Sequence, residues 1–346
     1  MNFELYKQEF ELKASKAGYT VENIQRCLDY AKPLIDRGFP VIYNTSHLSV
    51  LVGYRKDYIK RAVIYTPYFY RDFEIKKRNG KKRKISEPLP SLKEIQDWIL
   101  VNILENEKVS PFAKAYKKKV KLIDNVKFHK NQPLVVTLDL QDFFPSIKQK
   151  DIEIIFHSFG YSVLISNLLA KLCTRDECLP QGAPTSPYLS NIFFKRADDI
   201  IIKYCLENKI RYTRYADDLS FSGDFDEKEL IDLVKKTVES MGLSLHPDKI
   251  KVMRPNERQT VTGIVVNEKP QVVFHKRNKL RQEMHYIMKF GLQNHMARKN
   301  INYKNYIEHL LGKINFVLQL NPNDTEFQKY KLHLIDLKIK RTESII

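Results

Sequence analysis

Residues 211–223, RYTRYADDLSFSG, put two adjacent carboxylates, Asp217 and Asp218, at the bend between two stretches of strand character. On the returning stretch Leu219 and Phe221 share one face and Ser220 and Ser222 the other, the period of two that defines a strand. Like charges side by side repel, so such a pair sits either in open solvent or around something cationic. A third acid bears on the choice. Leu134–Leu140 (LVVTLDL) is a near-continuous apolar, β-branched run, as in a strand buried on both faces, and it carries Asp139 near its end. A fold that sets this strand antiparallel to the bend gathers three carboxylates, which raise one another's pKa unless a cation compensates.

Hard divalent ions with oxygen ligands provide that compensation. Mg²⁺ usually takes one or two carboxylates and leaves positions for water and phosphate oxygens. Two such ions, about 3.5–4 Å apart, support in-line displacement at phosphorus, one activating the attacking hydroxyl and the other stabilising leaving pyrophosphate. That arrangement serves nucleotidyl transfer. Taken alone, YADD reads as an acidic surface turn, and a second pair, Asp198-Asp199, lies inside a helical pattern and reads as a solvated face.

Residues 1–60 read as helical, with Leu28, Ala31, Leu34 and Ile35 on one face and Gly38 and Pro40 ending that run. In FEIKKRNGKKRKISEP, Asn79-Gly80 is a two-residue hairpin signal flanked by alternating Phe73, Ile75 and Arg83, Ile85. Seven of the nine residues from Lys76 to Lys84 are basic, so the ribbon is either a charged edge that blocks strand pairing or a surface for phosphates. After the buried strand, Ser146 and Gln149 make a capping-box pattern ahead of a helix with the stripe Ile152, Ile155, Phe156 and Phe159, stopped by Gly160. Two further helical segments follow, the second with Leu189, Ile192, Phe193, Ile200 and Ile201 at helical spacing. Short strands are expected at Lys249–Met253, Val261–Asn267 and Gln271–His275. From Lys276 the pattern is helical again, with Tyr303, Ile307, Leu310, Leu311, Ile314, Val317 and Leu318 along one face. A mixed sheet with helices in its middle, a basic hairpin before it and a basic bundle after it is an α+β design.

Charge narrows the partner. The 346 residues are long enough for two or three subdomains, and 59 Lys+Arg against 41 Asp+Glu leave a net +18. Such an excess favours a polyanion, most simply nucleic acid, whose condensed counterions are released on binding. The region from Lys276 onward holds 14 Lys+Arg and 6 Asp+Glu, a local +8. A membrane surface is disfavoured, since there is no lone basic amphipathic helix and no lipidation signal. MNFELYKQEF has no apolar signal core and no run of 18 apolar residues occurs, which predicts a soluble, cytoplasmic protein. Cys27, Cys173, Cys178 and Cys205 suggest neither a disulfide framework nor zinc spacing; they read as ordinary buried thiols.

Six blocks stand in order between about residue 66 and residue 267: GKKRKISEP, VVTLDLQDFFPSI, LPQGAPTSPYLSNI, YTRYADDLSFS, GLSLHPDKIKV and VTGIVVN. In these blocks the chain resembles a reverse transcriptase, specifically the bacterial retron type. Retron enzymes often carry Asn-Ala-x-x-His before the first catalytic strand; here NVKFH keeps Asn125 and His129 and has Val126 in place of the alanine.

The resemblance implies a right-hand polymerase fold: an N-terminal helical extension over residues 1–65, fingers over 66–133, a palm with an antiparallel sheet and interleaved fingers helices over 134–272, and a helical thumb over 273–346. It implies an RNA-directed DNA polymerase in which Asp139, Asp217 and Asp218 hold two Mg²⁺ ions, the first two as direct ligands. Arg83 and Lys84 correspond to residues that hold the triphosphate, a role open to any of the seven basic residues of the ribbon, and Gln181 and Gly182 to the block against the nascent base pair and template, Gln181 being otherwise a structural turn residue. Phe144 corresponds to a steric gate beneath the sugar, or else is a core ring like Phe143. Lys249 is either a proton donor to leaving pyrophosphate or a solvated lysine. Tyr215 and the Val261, Thr262, Gly263 block correspond to primer-end contacts, and Asn125 and His129 to RNA contacts. The thumb is expected to grip an RNA·DNA hybrid through backbone and shape.

The implied partners are dNTPs, a cognate noncoding RNA of the msr-msd type encoded beside the enzyme, and its cDNA product, msDNA, primed from a guanosine 2′-hydroxyl. An effector or toxin protein in anti-phage defence and host ribonuclease H are implied as well, and no membrane. Two other readings stand beside this one: another prokaryotic reverse transcriptase (intron, diversity-generating or abortive-infection type), and an RNA-binding scaffold without chemistry.

Overall fold

The computed structural model describes residues 2–76, 80–302 and 305–343. The chain divides into two units, one of residues 1–118, 139–204 and 231–246, the other of residues 119–138, 205–230 and 247–346.

The first unit is mainly helical. It begins with helices Phe3–Lys16, Val21–Asp36, Thr45–Val52 and Lys56–Ile64, in line with the helical reading of residues 1–60. Thr20 caps the second by accepting the Asn23 N–H at 3.4 Å, and Asn44 caps the third by accepting the His47 N–H at 2.9 Å. Next, β1 (Tyr70–Lys76) and β2 (Lys82–Pro88) form an antiparallel ribbon with Phe73 opposite Ile85 and Ile75 opposite Arg83. The register pairs Lys76 with Lys82, whereas a two-residue Asn79-Gly80 turn would pair Lys76 with Arg83. The hairpin thus stands where its signal puts it, one residue out of register; Asn79 itself lies outside the described residues.

The helix Gln149–Ser158 is capped differently from the Ser146–Gln149 pattern. Ser146 ends a short helix, Phe143–Ser146, so it is already committed to the preceding turn. The capping contact is made instead by the Asp151 carboxylate, which accepts the Lys148 N–H at 2.9 Å. Ile152, Phe156 and Phe159 are buried as the periodicity predicts. The helix Val163–Cys173 is apolar nearly all round and buries Ile165, Leu169, Ala170 and Leu172. Gln96, fully buried on the helix Pro90–Asn102, donates to the Leu172 carbonyl at 2.7 Å, satisfying a C-terminal orphan of that inner helix.

On the helix Ser186–Glu207 the solvated reading of Asp198-Asp199 holds for only one acid. Asp198 is fully buried, because it shares the face of Phe194, Ala197, Ile201 and Cys205, while Asp199, a step further round, is exposed and pairs with Lys195 at 2.7 Å. Ile200, read as part of the apolar stripe, is exposed for the same geometric reason.

The second unit is built on a four-stranded sheet of order β4-β5-β3-β6, comprising β3 (Leu134–Asp139, its last residue counted with the first unit), β4 (Arg211–Tyr215), β5 (Asp218–Gly223) and β6 (Lys251–Met253). β4 and β5 are antiparallel, as are β3 and β6, with Val135 opposite Met253. Leu134, Val135, Val136 and Leu138 are all buried, the two-sided burial that the apolar run implies. The stretch expected as one strand over Val261–Asn267 is split. Thr262 (φ 47) and Gly263 (φ 78) both adopt positive φ, as a two-residue type I′ turn requires, and so divide β7 (Thr260–Val261) from β8 (Ile264–Val265). β9 (Gln271–Val272) completes this second sheet.

Helices Phe274–Phe290, Leu292–Arg298, Tyr306–Leu320 and Thr325–Glu343 follow. Ile307, Leu310, Ile314 and Val317 fall in one apolar cluster with Leu280 and Phe327; Tyr303, read on the same face, lies outside the described residues. Asp324 accepts the Phe327 N–H at 3.3 Å and pairs with Arg277, so one carboxylate caps the last helix and ties it to the first of the four. Among the described residues no helix is long and apolar enough to cross a membrane.

Candidate active site

The acid pair is presented by the β4–β5 hairpin. Tyr215 and Asp218 are its last cross-strand pair, which leaves Ala216 and Asp217 as the loop. Ala216 has φ 59, a left-handed conformation that costs an L-residue roughly 1–2 kcal/mol. Strain of this kind persists where the surroundings over-determine the backbone. Here the two-residue loop closed by the Tyr215–Asp218 pair requires it, and Arg214, whose guanidinium is fully buried, donates from Nη1 to the Ala216 carbonyl at 3.1 Å.

Behind the hairpin lies His129, also fully buried. Its Nε2 is 2.7 Å from the Thr213 hydroxyl on β4 and its Nδ1 is 2.8 Å from the Ser222 hydroxyl on β5, so one ring joins both strands. Burial, reinforced by the Arg211 cation, lowers its pKa to about 3 and keeps the ring neutral at pH 7. Asn125, likewise buried, donates to the Thr262 hydroxyl at 3.4 Å, in the turn between β7 and β8. Read from sequence as RNA contacts, Asn125 and His129 instead present no side-chain surface here; they tie two hairpins from inside. Val126 is fully buried in the apolar cluster.

Asp139, Asp217 and Asp218 are each half-buried, open enough to meet a cation. β3 ends at Asp139 and β5 begins at Asp218, and the two strands are hydrogen-bonded neighbours in the sheet. The Asp139 carbonyl accepts the His246 N–H at 2.8 Å, and the Gln141 N–H donates to the Ser244 carbonyl at 2.9 Å, so the backbone leaving the acid is held at two points. Among the described residues no group of three or more His, Cys, Asp or Glu side chains forms a ready-made metal cage. Hard carboxylate oxygens fit an ion that completes its shell with water and phosphate. Lys249 is exposed at the end of the turn Pro247–Lys249, ahead of β6.

In the first unit the Gln181-Gly182 block lies directly on β2. The Ser86 N–H donates to the Gln181 carbonyl at 2.7 Å. Gly182, at φ 128, has no room for a side chain: a Cβ would lie 2.8 Å from the Ser86 carbonyl oxygen and 2.9 Å from Ile85 Cγ2. Arg83 is exposed on β2, whereas Lys84 pairs with Asp72 at 3.0 Å. Arg175 also grips Asp72; this guanidinium first, then Lys84 and the Ser86 hydroxyl, hold the Asp72 carboxyl far below the usual carboxylate range. Phe143 is a core ring, edge-on to Phe194 at 6.0 Å, while Phe144 is half-buried beside Tyr116 at 6.3 Å.

Arg214, the Asp72–Arg175 pair and Tyr116 were not singled out by the sequence reading. Arg214 had a signal, a cation inside a strand just before an acid-bearing turn. Asp72 and Arg175 had none, because they come from distant segments.

Residues 75–289 match the family described as reverse transcriptase (RNA-dependent DNA polymerase). The Retron Ec86 reverse transcriptase of Escherichia coli is 32% identical over 290 residues, covering 82% of this chain and 87% of its own. The Retron Mx162 reverse transcriptase of Myxococcus xanthus is 33% identical over 232 residues, 58% of this chain and 48% of its own. The Retron Mx65 reverse transcriptase of the same organism is 27% identical over 328 residues, 88% and 74%. Among solved structures, an apo telomerase from Candida tropicalis aligns with a TM-score of 0.41 at 14% identity, over 64% of this chain and 61% of its own. The α+β architecture is the right-hand polymerase type that the six blocks imply. The chain belongs to the reverse transcriptase family, as an RNA-directed DNA polymerase of the retron type.

Proposed function

We propose that this polymerase copies a structured noncoding RNA encoded beside it into branched, RNA-linked single-stranded DNA, starting from the 2′-hydroxyl of a guanosine. The relatives' names, retron reverse transcriptases, support the RNA and the product. The observation that carries the chemistry is that Asp139 ends β3 and Asp218 opens the neighbouring β5. His129, just ahead of β3, reaches Ser222 near the end of β5. On this reading β3 enters where β5 leaves, the two run antiparallel, and Asp139 falls at the end where Asp217 and Asp218 turn.

Asp139 and Asp217 are then the direct ligands of two Mg²⁺ ions, with Asp218 beside them. When bound, such ions supply charge neutralisation at the phosphates and activation of the attacking hydroxyl. The remaining work falls to this chain's own groups. Arg83, exposed on β2, takes the triphosphate, and Lys84 exchanges Asp72 for a phosphate oxygen. Gln181 and Gly182 form a platform against β2 for the nascent pair. Phe144, unlike the buried Phe143, is free to lie under the sugar, where its ring leaves no room for a 2′-hydroxyl. Lys249 gives a proton to departing pyrophosphate. Tyr215 and the turn at Thr262 and Gly263 support the primer end, with Val261 anchoring that turn in the core. Residues 1–65 form the extension, 66–133 the fingers, 134–272 the palm and 273–346 the thumb. The enzyme works in the cytoplasm with an effector protein in anti-phage defence, and host ribonuclease H removes the copied template.

The test is primer extension on a primed RNA template with Mg²⁺ and dNTPs, against Asp217→Asn with Asp218→Asn. Wild-type synthesis lost in the double variant is expected; equal products from both would mean a scaffold or another site. Sequencing nucleic acid that copurifies with the protein should reveal DNA joined to a guanosine 2′-oxygen. Only linear cDNA would remove the retron part of the reading.

A further inference from the structure

The helices Phe274–Phe290 and Leu292–Arg298, joined by Gly291 at φ 82, border a cavity of about 310 Å³. Its lining is Tyr286, Phe290, Asn294, His295, Arg298 and Lys299. The rings form a ladder. Phe290 and Tyr286 are near-parallel (21°) at 6.1 Å, Tyr286 and His295 (19°) at 6.4 Å, and His295 and Tyr306 (12°) at 6.0 Å. The inner end is complete: His295 and Tyr306 are 4% and 2% exposed and hydrogen-bonded to each other at 3.0 Å. The outer end is not, since Tyr286 and Phe290 are 40% and 47% exposed. A stack serving only the core would bury its outer rings as it buries its inner ones.

Cations gather at the open end, while the Glu283 carboxylate, paired with Lys313, acts on His295 at the inner end. The Arg298 guanidinium lies 5.9 Å from the Tyr286 ring and Lys289 lies 5.3 Å from the Phe290 ring. Lys299 lines the cavity, and no carboxylate is among its described lining residues. Asn294 donates to the Phe290 carbonyl at 2.8 Å and adds a carboxamide oxygen as an acceptor. An open aromatic face, flanking cations and one amide match what a base on a phosphodiester chain requires: a surface to stack on, a partner for its phosphates and a group for its edge.

We propose that this cavity holds a single unpaired RNA base, stacked on Tyr286 and Phe290 with its flanking phosphates on Arg298 and Lys299. A paired base does not fit the role, because its faces are already occupied in the helical stack, and duplex RNA is gripped through backbone and shape. The pocket therefore selects a nucleotide from a loop, bulge or strand end. The inference rests on the reading that this chain binds RNA, though not on its acids.

The test uses the full chain and a single-stranded oligoribonucleotide carrying 2-aminopurine, whose fluorescence is quenched by stacking, alongside the same oligonucleotide in a duplex. Saturable quenching of the single strand is expected, with little for the duplex. Tyr286→Ala should weaken the Kd by roughly 5- to 150-fold, the range that one base–aromatic stack supplies. Tyr286→Trp should restore it, and Arg298→Ala should weaken binding more at low salt than at high. Should Tyr286→Ala melt early, the exposed Phe290, changed to Ser, gives the same reading. Absence of quenching in the wild type, wild-type affinity in both ring variants, or equal quenching of duplex would overturn the proposal, the second also being what a protein-docking surface would give. The Asp217→Asn, Asp218→Asn variant should quench as the wild type does. Loss of primer extension with quenching retained would count against the polymerase chemistry alone.

Discussion

Gly182 approaches Ser86 so closely that a Cβ on the glycine would stand 2.8 Å from the serine carbonyl oxygen. The neighbouring Ser86 N–H is bonded to Gln181, so the two backbones are docked. β2 carries Arg83 and Lys84, and this contact fixes where those cations stand relative to the Gln-Gly block. Gly182→Ala adds a clash with backbone, which cannot swing aside, at a φ closed to most side chains. The expected result is a loss of roughly 1–3 kcal/mol of stability and a raised KM for dNTPs. Unchanged melting and unchanged KM together would show that the two backbones do not meet in solution.

His129 makes stability depend on pH in a definite direction. Its folded pKa is about 3, below the ordinary 6.5, because burial and the Arg211 cation disfavour the charged ring. The unfolded chain therefore takes up the proton first as pH falls. The contribution of His129 is full above about pH 6.5 and is lost toward pH 3, at about 1.4 kcal/mol per pH unit. Other groups titrate in the same range, so the measurement is the difference in denaturation free energy between the wild type and His129→Gln across pH 4–7. That difference should shrink as pH falls. His129→Ala should cost roughly 1–3 kcal/mol for each hydroxyl, Thr213 and Ser222, left without its partner.

Much of this was legible in sequence where the signal is local. The run Leu134–Leu140 declares a two-sided strand by composition, and the stripe Ile152, Phe156, Phe159 declares its helix by period. Asp217 and Asp218 announce themselves by adjacency at a bend. What escaped depends on tertiary context. Asp198 and Asp199 look alike in sequence, and only the neighbouring stripe of Phe194 and Ile201 decides which one is buried. Thr262 entered a positive-φ turn that a strand-like Val-Thr run conceals, with Asn125 from a distant segment bonded to its hydroxyl. Arg214 is buried and folds back onto the Ala216 carbonyl, a contact within the turn that no period reports.

Phe144 is predicted to set sugar selectivity. Phe143 and Phe144 are adjacent, but only Phe143 is committed to the core, against Phe194. Removing the Phe144 ring frees volume beside Tyr116 without opening the core. Phe144→Ala should raise ribonucleotide use relative to deoxyribonucleotide use by roughly tenfold or more, a steric discrimination of the size one side chain provides. The measurement is the ratio of kcat/KM for dNTP and rNTP on one template. A ratio equal to the wild type's would assign Phe144 to packing.

RNA affinity should fall steeply with salt, and the ion pairs of the terminal helices say which cations contribute. Arg277 and Arg281 are already held by Asp324 and Glu326, and Lys313 by Glu283. Those cations release few counterions when RNA binds. Lys276, Lys279, Lys289, Arg298 and Lys299 are exposed and have no ion pair among the described residues. With about that many phosphate contacts, affinity should drop roughly 10²- to 10³-fold between 50 and 200 mM salt. Each substitution, such as Lys276→Ala or Lys279→Ala, should lower the slope of log K against log salt by about one. Arg281→Ala should leave the slope nearly unchanged while costing stability, since its charge is spent on Glu326. An affinity flat across that salt range would mean that RNA is held by contacts other than phosphate.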